Sequence, residues 1–151
     1  MPKEQTTLII GYGNPLRQDD GLGQVVAERL QAVDWASSVA VMAVHQLTID
    51  LAEEASQVDR LILIDAAQGD PPAALSVETI QADQAAFDPF SHYVTPSALL
   101  AATAAIYGRT PVCTLLTINA LSLEIGEGLS PVVAARLPEL LEQVKALVDA
   151  S

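Results

Sequence analysis

Arg60-Leu61-Ile62-Leu63-Ile64-Asp65 sets four large aliphatic residues in a row and closes on an acid. Side chains along a strand alternate between faces. An unbroken aliphatic run therefore belongs to a strand covered on both sides, as in a parallel sheet with helices above and below. Upstream, Thr6 to Ile10 is a second short apolar run, stopped by Gly11-Tyr12-Gly13, and Val39 to Val44 is a third. Downstream, Val112 to Ile118 repeats the pattern, whereas Leu75 to Ile80 alternates and suits an edge or antiparallel position.

Helical signals separate these runs. Leu22, Val25, Val26, Leu30 and Val33 fall at helical spacing, and Thr48 is a candidate N-cap for a helix to about Ser56. Thr95-Pro96 predicts a capped helix to Tyr107, ended by Gly108, after a loop of mixed polarity from Gln81 to Tyr93. Ser130-Pro131 predicts a C-terminal helix with a stripe of Leu137, Leu140, Leu141, Val144, Leu147 and Val148, kinked at Pro138. The expected architecture is α/β: a three-layer sandwich in which an open, twisted, mostly parallel sheet of about five strands carries helices on both faces. Residues 1–151 read as a single domain without repeat or linker. In such sheets ligands bind beyond the carboxyl ends of the strands.

Composition narrows the function. Half the residues are hydrophobic but only 4% are aromatic, so the core is aliphatic. Seven basic against nineteen acidic residues give a net charge of −12, which disfavours nucleic acid and anionic membranes. The Ala-rich run from Ala98 to Ile106 is far short of the ~20 residues that span a bilayer. The N-terminus, Met1-Pro2-Lys3-Glu4-Gln5, carries an acid where a signal peptide is basic, so a cytoplasmic location is expected. Cys113 is the only cysteine and sits in an apolar run, as a buried structural thiol does.

Three strand ends carry polar residues with chemical potential. The first is Gly11-Tyr12-Gly13-Asn14-Pro15-Leu16-Arg17-Gln18-Asp19-Asp20-Gly21-Leu22-Gly23. A dinucleotide reading fails because Leu16 stands at the third fingerprint glycine and two carboxylates sit where a pyrophosphate would bind. One acid at a helix start gains ~0.3–1 kcal/mol from the dipole, but two adjacent acids repel. Gly21 and Gly23 each weaken the helix start by ~1 kcal/mol relative to Ala, which makes sense where another chain approaches the backbone closely. The second is Asp65, whose bland alternative is a first loop residue. The third is His92, in a loop before a helix, with His45 after Val44 as the rival imidazole and a plain surface histidine as the competing reading. Two carboxylates and an imidazole make a three-ligand metal site with open positions, weaker than thiolate or multi-histidine sites. Serine-elbow, zinc-helix and phosphate-loop signatures are all missing.

In this order the motifs resemble the nickel–iron hydrogenase maturation proteases. Gly11-x-Gly13-Asn14-x-Leu16-x-x-Asp19-Asp20-Gly21-x-Gly23 resembles that family's N-terminal signature. Ile64-Asp65-Ala66-Ala67-Gln68-Gly69, His92 ahead of Thr95-Pro96, and Leu129-Ser130-Pro131 resemble its later motifs, and His45-Gln46-Leu47-Thr48 a variant of its second-strand turn. The resemblance implies a metal-dependent endopeptidase that removes the C-terminal extension of a nickel-loaded [NiFe] hydrogenase large-subunit precursor. It also implies a monomer with Asp20, Asp65 and His92 as catalytic and metal-contacting residues, Asp19 being the alternative to Asp20. Nickel would come with the precursor, and no nucleotide is implied. The alternatives are a non-catalytic nickel or precursor chaperone and a nucleotide-binding α/β protein.

Overall fold

The computed structural model describes residues 5–36 and 38–150. Met1 to Glu4, read above against a signal peptide, lie outside the described residues. Five strands, β1 (Thr6–Tyr12), β2 (Ser38–Val44), β3 (Arg60–Ala67), β4 (Leu75–Ile80) and β5 (Val112–Asn119), form one sheet in the order β2-β1-β3-β5-β4. All neighbours are parallel except β4, which runs antiparallel to β5 at the edge. The alternating pattern of β4 anticipated that placement.

The aliphatic run of β3 feeds two cores. Ile62 and Ile64 pack with Ile9 under α1 (Leu22–Gln31) and α5 (Leu137–Asp149). Leu61 and Leu63 pack with Leu8 and Ile10 under α2 (Leu51–Ser56) and α3 (Pro96–Tyr107). All four β3 side chains are fully buried, each contributing roughly 1.5–3 kcal/mol by leaving water. Cys113 is buried in the second core, and burial pushes its thiol up to about 12, so it is an inert packing residue. Among the described residues no helix is long and apolar enough to cross a membrane.

Several local expectations change. β1 continues two residues past Ile10, because Gly11 and Tyr12 keep pairing with Ala43 and Val44. β3 likewise runs beyond Asp65 to Ala67, held by the Thr117 to Asn119 end of β5. Thr48 does not cap α2: it forms an antiparallel bridge with Tyr93, and Asp50 takes the N-cap position. The C-terminal helix is two helices, α4 (Pro131–Ala134) and α5, with Pro138 in the first turn of α5. A proline there lacks only an N–H that has no helical partner, so it starts a helix and kinks none. The Thr95 cap forms as expected, its hydroxyl accepting from Ala98 N at 3.2 Å, and Gly108 closes α3 at φ 75°.

The glycines of the first motif serve this chain's own packing, not the approach of another chain. A Cβ on Gly23 would run into the Tyr12 backbone and lie 2.6 Å from the Ile64 carbonyl oxygen. One on Gly11 would meet the Gly23 carbonyl. The start of α1 therefore rests directly on β1 and β3. Gly23→Ala is expected to destabilise the protein by about 3 kcal/mol in urea unfolding, since the clash is with backbone that has no room to yield. An unchanged midpoint would show that the contact is not tight.

Candidate active site

The direct seating of α1 folds the connection between β1 and α1 over the carboxyl ends of the central strands. That connection contains the adjacent acids, and the structure separates their roles. Asp19 is fully buried. Its Oδ2 accepts from Leu121 N at 2.9 Å and Ser122 N at 3.1 Å, and its Oδ1 accepts from Ser130 N at 2.7 Å; the Ser130 hydroxyl donates to it as well. Burial alone would raise its pKa, but the bonds from Ser130, Ser122 and Leu121 outweigh that and hold it below the usual carboxylate range. Asp19 thus fastens the segment after β5 to the first motif. Backbone bonds from Gln18 N to Gly126 O and Gly126 N to Leu16 O continue the seam. Ser130 was read as a helix cap; its side chain turns to Asp19 instead.

Asp20 faces the other way. Its Oδ2 accepts from Asn14 N at 2.8 Å, and it lines an open crevice of about 340 Å³. Asp65 shares that crevice, because Gly11 pairs with Ile64 and so sets the end of β1 level with the acid on β3. Burial pushes the Asp65 carboxyl up to about 7; a bond from Ala66 N works against this, and the charge on Asp20 adds to it. Tyr12, beside it, donates its hydroxyl to Asp65, and burial together with that carboxylate raises the phenol far above its ordinary value. Tyr12 was not singled out from the sequence. Its place within Gly11-Tyr12-Gly13, at the close of the first apolar run, was the available signal.

The imidazoles divide differently from expectation. His45, at the end of β2, lines the crevice with the two acids. His92 does not. It borders an adjoining cavity of about 490 Å³ shared with His45, Gln46 and Tyr93. Its Nε2 lies 4.0 Å from Asp50 Oδ2, with both side chains largely in solvent, a pairing that contributes little. Among the described residues no three His, Cys, Asp or Glu side chains are already close enough together to hold a metal ion. Asp20 and Asp65 are brought together as the sequence suggested, and His92 stands apart from them.

Burial, with a smaller push from the charge on Asp20, keeps a proton on Asp65 near neutrality. A cation entering there would displace that proton and relieve the repulsion. The alternative chemistry is general acid–base work divided between one ionised and one protonated acid.

The structure has close counterparts. The [NiFe] hydrogenase maturation protease HycI from Thermococcus kodakarensis KOD1 superposes with a TM-score of 0.74 at 19% identity, covering 96% of this chain and 93% of that one. The chain has the hydrogenase maturation protease fold. The maturating endopeptidase HybD from E. coli gives a TM-score of 0.72 at 24% identity over 95% of this chain and 91% of its own. A hydrogenase 2 maturation peptidase from Thaumarchaeota archaeon SCGC_AB-539-E09 gives 0.72 at 25% identity over 95% and 98%. These maturation proteases are hydrolases, and they match this chain along nearly its whole length. No protein-family model and no curated protein sequence matches the chain.

Because the folded-state pKa of Asp65 is raised from its ordinary value near 4 to about 7, its contribution to stability is fully present below pH ~4 and lost as pH rises through about 7. Asp65→Asn mimics the protonated acid. It is expected to melt above wild type at pH 8 and level with it near pH 4. A stability difference independent of pH would contradict the raised value.

Proposed function

We propose that this chain is an endopeptidase that removes the C-terminal extension of a [NiFe] hydrogenase large-subunit precursor, recognising nickel that the precursor carries. The observation that supports this most is the pairing of Asp20 with Asp65 at the strand ends of a maturation-protease fold. Oxygen donors with few imidazoles suit a metal met in passing more than one kept. The crevice is open, and the Tyr93 ring that lines it stands exposed, which leaves an apolar surface for a macromolecular substrate.

In this reading the precursor's tail enters the crevice, and nickel replaces the proton on Asp65 while Asp20 shares its charge. His92, bordering the adjoining cavity, contacts the ion or the tail from that side. The ion then fixes the neighbouring peptide bond in place. Hydrolysis follows either through metal polarisation of the carbonyl or through a carboxylate acting as base. Either route makes nickel the licence for cleavage, which explains how a sequence without a serine-elbow or zinc-helix signature attacks one bond only. The enzyme works as a monomer.

Mass measurement of a nickel-loaded precursor incubated with the protein tests this. Wild type should shorten the precursor, while Asp20→Ala and His92→Ala should each reduce the rate by at least about a hundredfold without loss of fold. An unshortened precursor that stays bound would mark the chain as a chaperone. Full-rate cleavage of metal-free precursor would remove nickel from the account.

A further inference from the structure

His45 occupies a position that the roles assigned above leave unused. It follows Val44, the last residue of β2, and Val44 pairs with Tyr12 across the parallel ladder. The turn that carries it is fastened to the first motif: Gly13 N donates to Val44 O at 3.2 Å, and Gln24 Nε2 donates to both Gly13 O (2.9 Å) and Val44 O (3.1 Å). The residue therefore stands on two rigid strands and the helix that crosses them, the kind of support that holds a functional side chain in place.

Two cavities meet at this residue. One contains the Asp20 and Asp65 carboxylates, and the other contains His92. His45 lines both, with Gln46 and Tyr93, and is the one imidazole in the cavity that holds the acids. His92 is placed otherwise. Its backbone is tied to the 47–49 segment, with Ile49 N donating to His92 O at 3.0 Å and Val94 N to Leu47 O at 3.1 Å, and its ring packs edge-on to Tyr93 near Asp50.

We infer that His45 is a further metal-contacting residue: the imidazole that meets a borderline divalent ion, such as nickel, alongside Asp20 and Asp65 when the ion enters the crevice. This rests on reading the crevice as a place where nickel is met. An imidazole nitrogen is a better donor to Ni²⁺ than a further carboxylate or water, so an exposed histidine beside two acids raises affinity without closing the site. The ligand class is a divalent cation of nickel or zinc type, carried on a peptide or free.

The chain has only two histidines, so His45→Gln and His92→Gln suffice to assign both imidazole resonances in proton–nitrogen spectra. With Ni²⁺ alone as probe, the His45 resonances should broaden at the lowest metal concentrations. His45→Gln should weaken Ni²⁺ binding by at least about tenfold, since even outer-shell losses weaken metal sites by that much. An Asp20→Asn/Asp65→Asn double variant should abolish the early broadening. Broadening of His92 alone would overturn the role of His45 while leaving nickel recognition standing. Early broadening that survives in the double variant would overturn it too, as simple binding to a surface histidine. No response of either imidazole would overturn both this role and the nickel reading. Both histidines are solvent-exposed, so an unchanged amide spectrum serves as the check that the variants are folded.

Discussion

The contact on which everything else depends has no side chain in it. Gly23 lays the first turn of α1 against the backbone of Tyr12 and the carbonyl of Ile64, and Gly11 leaves room for the Gly23 carbonyl in return. Interiors pack at crystal-like density, so even one methyl group at either position would lift the helix from the sheet. Lifting it would move the connection that bears Asp20 away from β3 and Asp65. The helix tolerates a poor helix former, Gly23, in its opening turn because the approach it permits seats α1 directly on the sheet.

Adjacent acids within that connection do opposite work. Asp19 is buried and fully hydrogen-bonded, and it ties the residues after β5 to the first motif. Asp20 is half-buried and turned to the crevice, where it opposes Asp65. The first arrangement stabilises the fold; the second stores electrostatic tension. A buried carboxylate given several donors stays ionised, while one given burial and a like charge holds its proton. A cation at the pair would relieve what the fold leaves unresolved, and the acidic surface as a whole, at −12, would draw one in.

The sheet was largely legible in the sequence because its signals are local and strong. An aliphatic run buried on both faces, an alternating run at an edge and proline-opened helices each follow from one short segment. Element ends were less legible: Tyr12 and Ala67 stay in strands because of pairing with β2 and β5, information that lies elsewhere in the chain. Pro138 looked like a kink because the break after Ala134 carries neither a glycine nor a proline. At the site, Asp20 and Asp65 were readable from their places at strand ends, but which of the adjacent acids faced inward depended on Ser130, more than a hundred residues away. The placement of His92 was not readable. It follows from how the 45–50 turn and the 81–95 segment pair with one another, and the bridge between Thr48 and Tyr93 leaves no trace in either segment alone.

The two crevice carboxylates are proposed as a meeting place for a transition-metal cation. Diffraction at the nickel absorption edge from crystals grown with Ni²⁺ addresses it most directly. An anomalous peak is expected about 2 Å from carboxylate oxygens of both Asp20 and Asp65. A peak bound elsewhere on the acidic surface, with none between those two side chains, would contradict it.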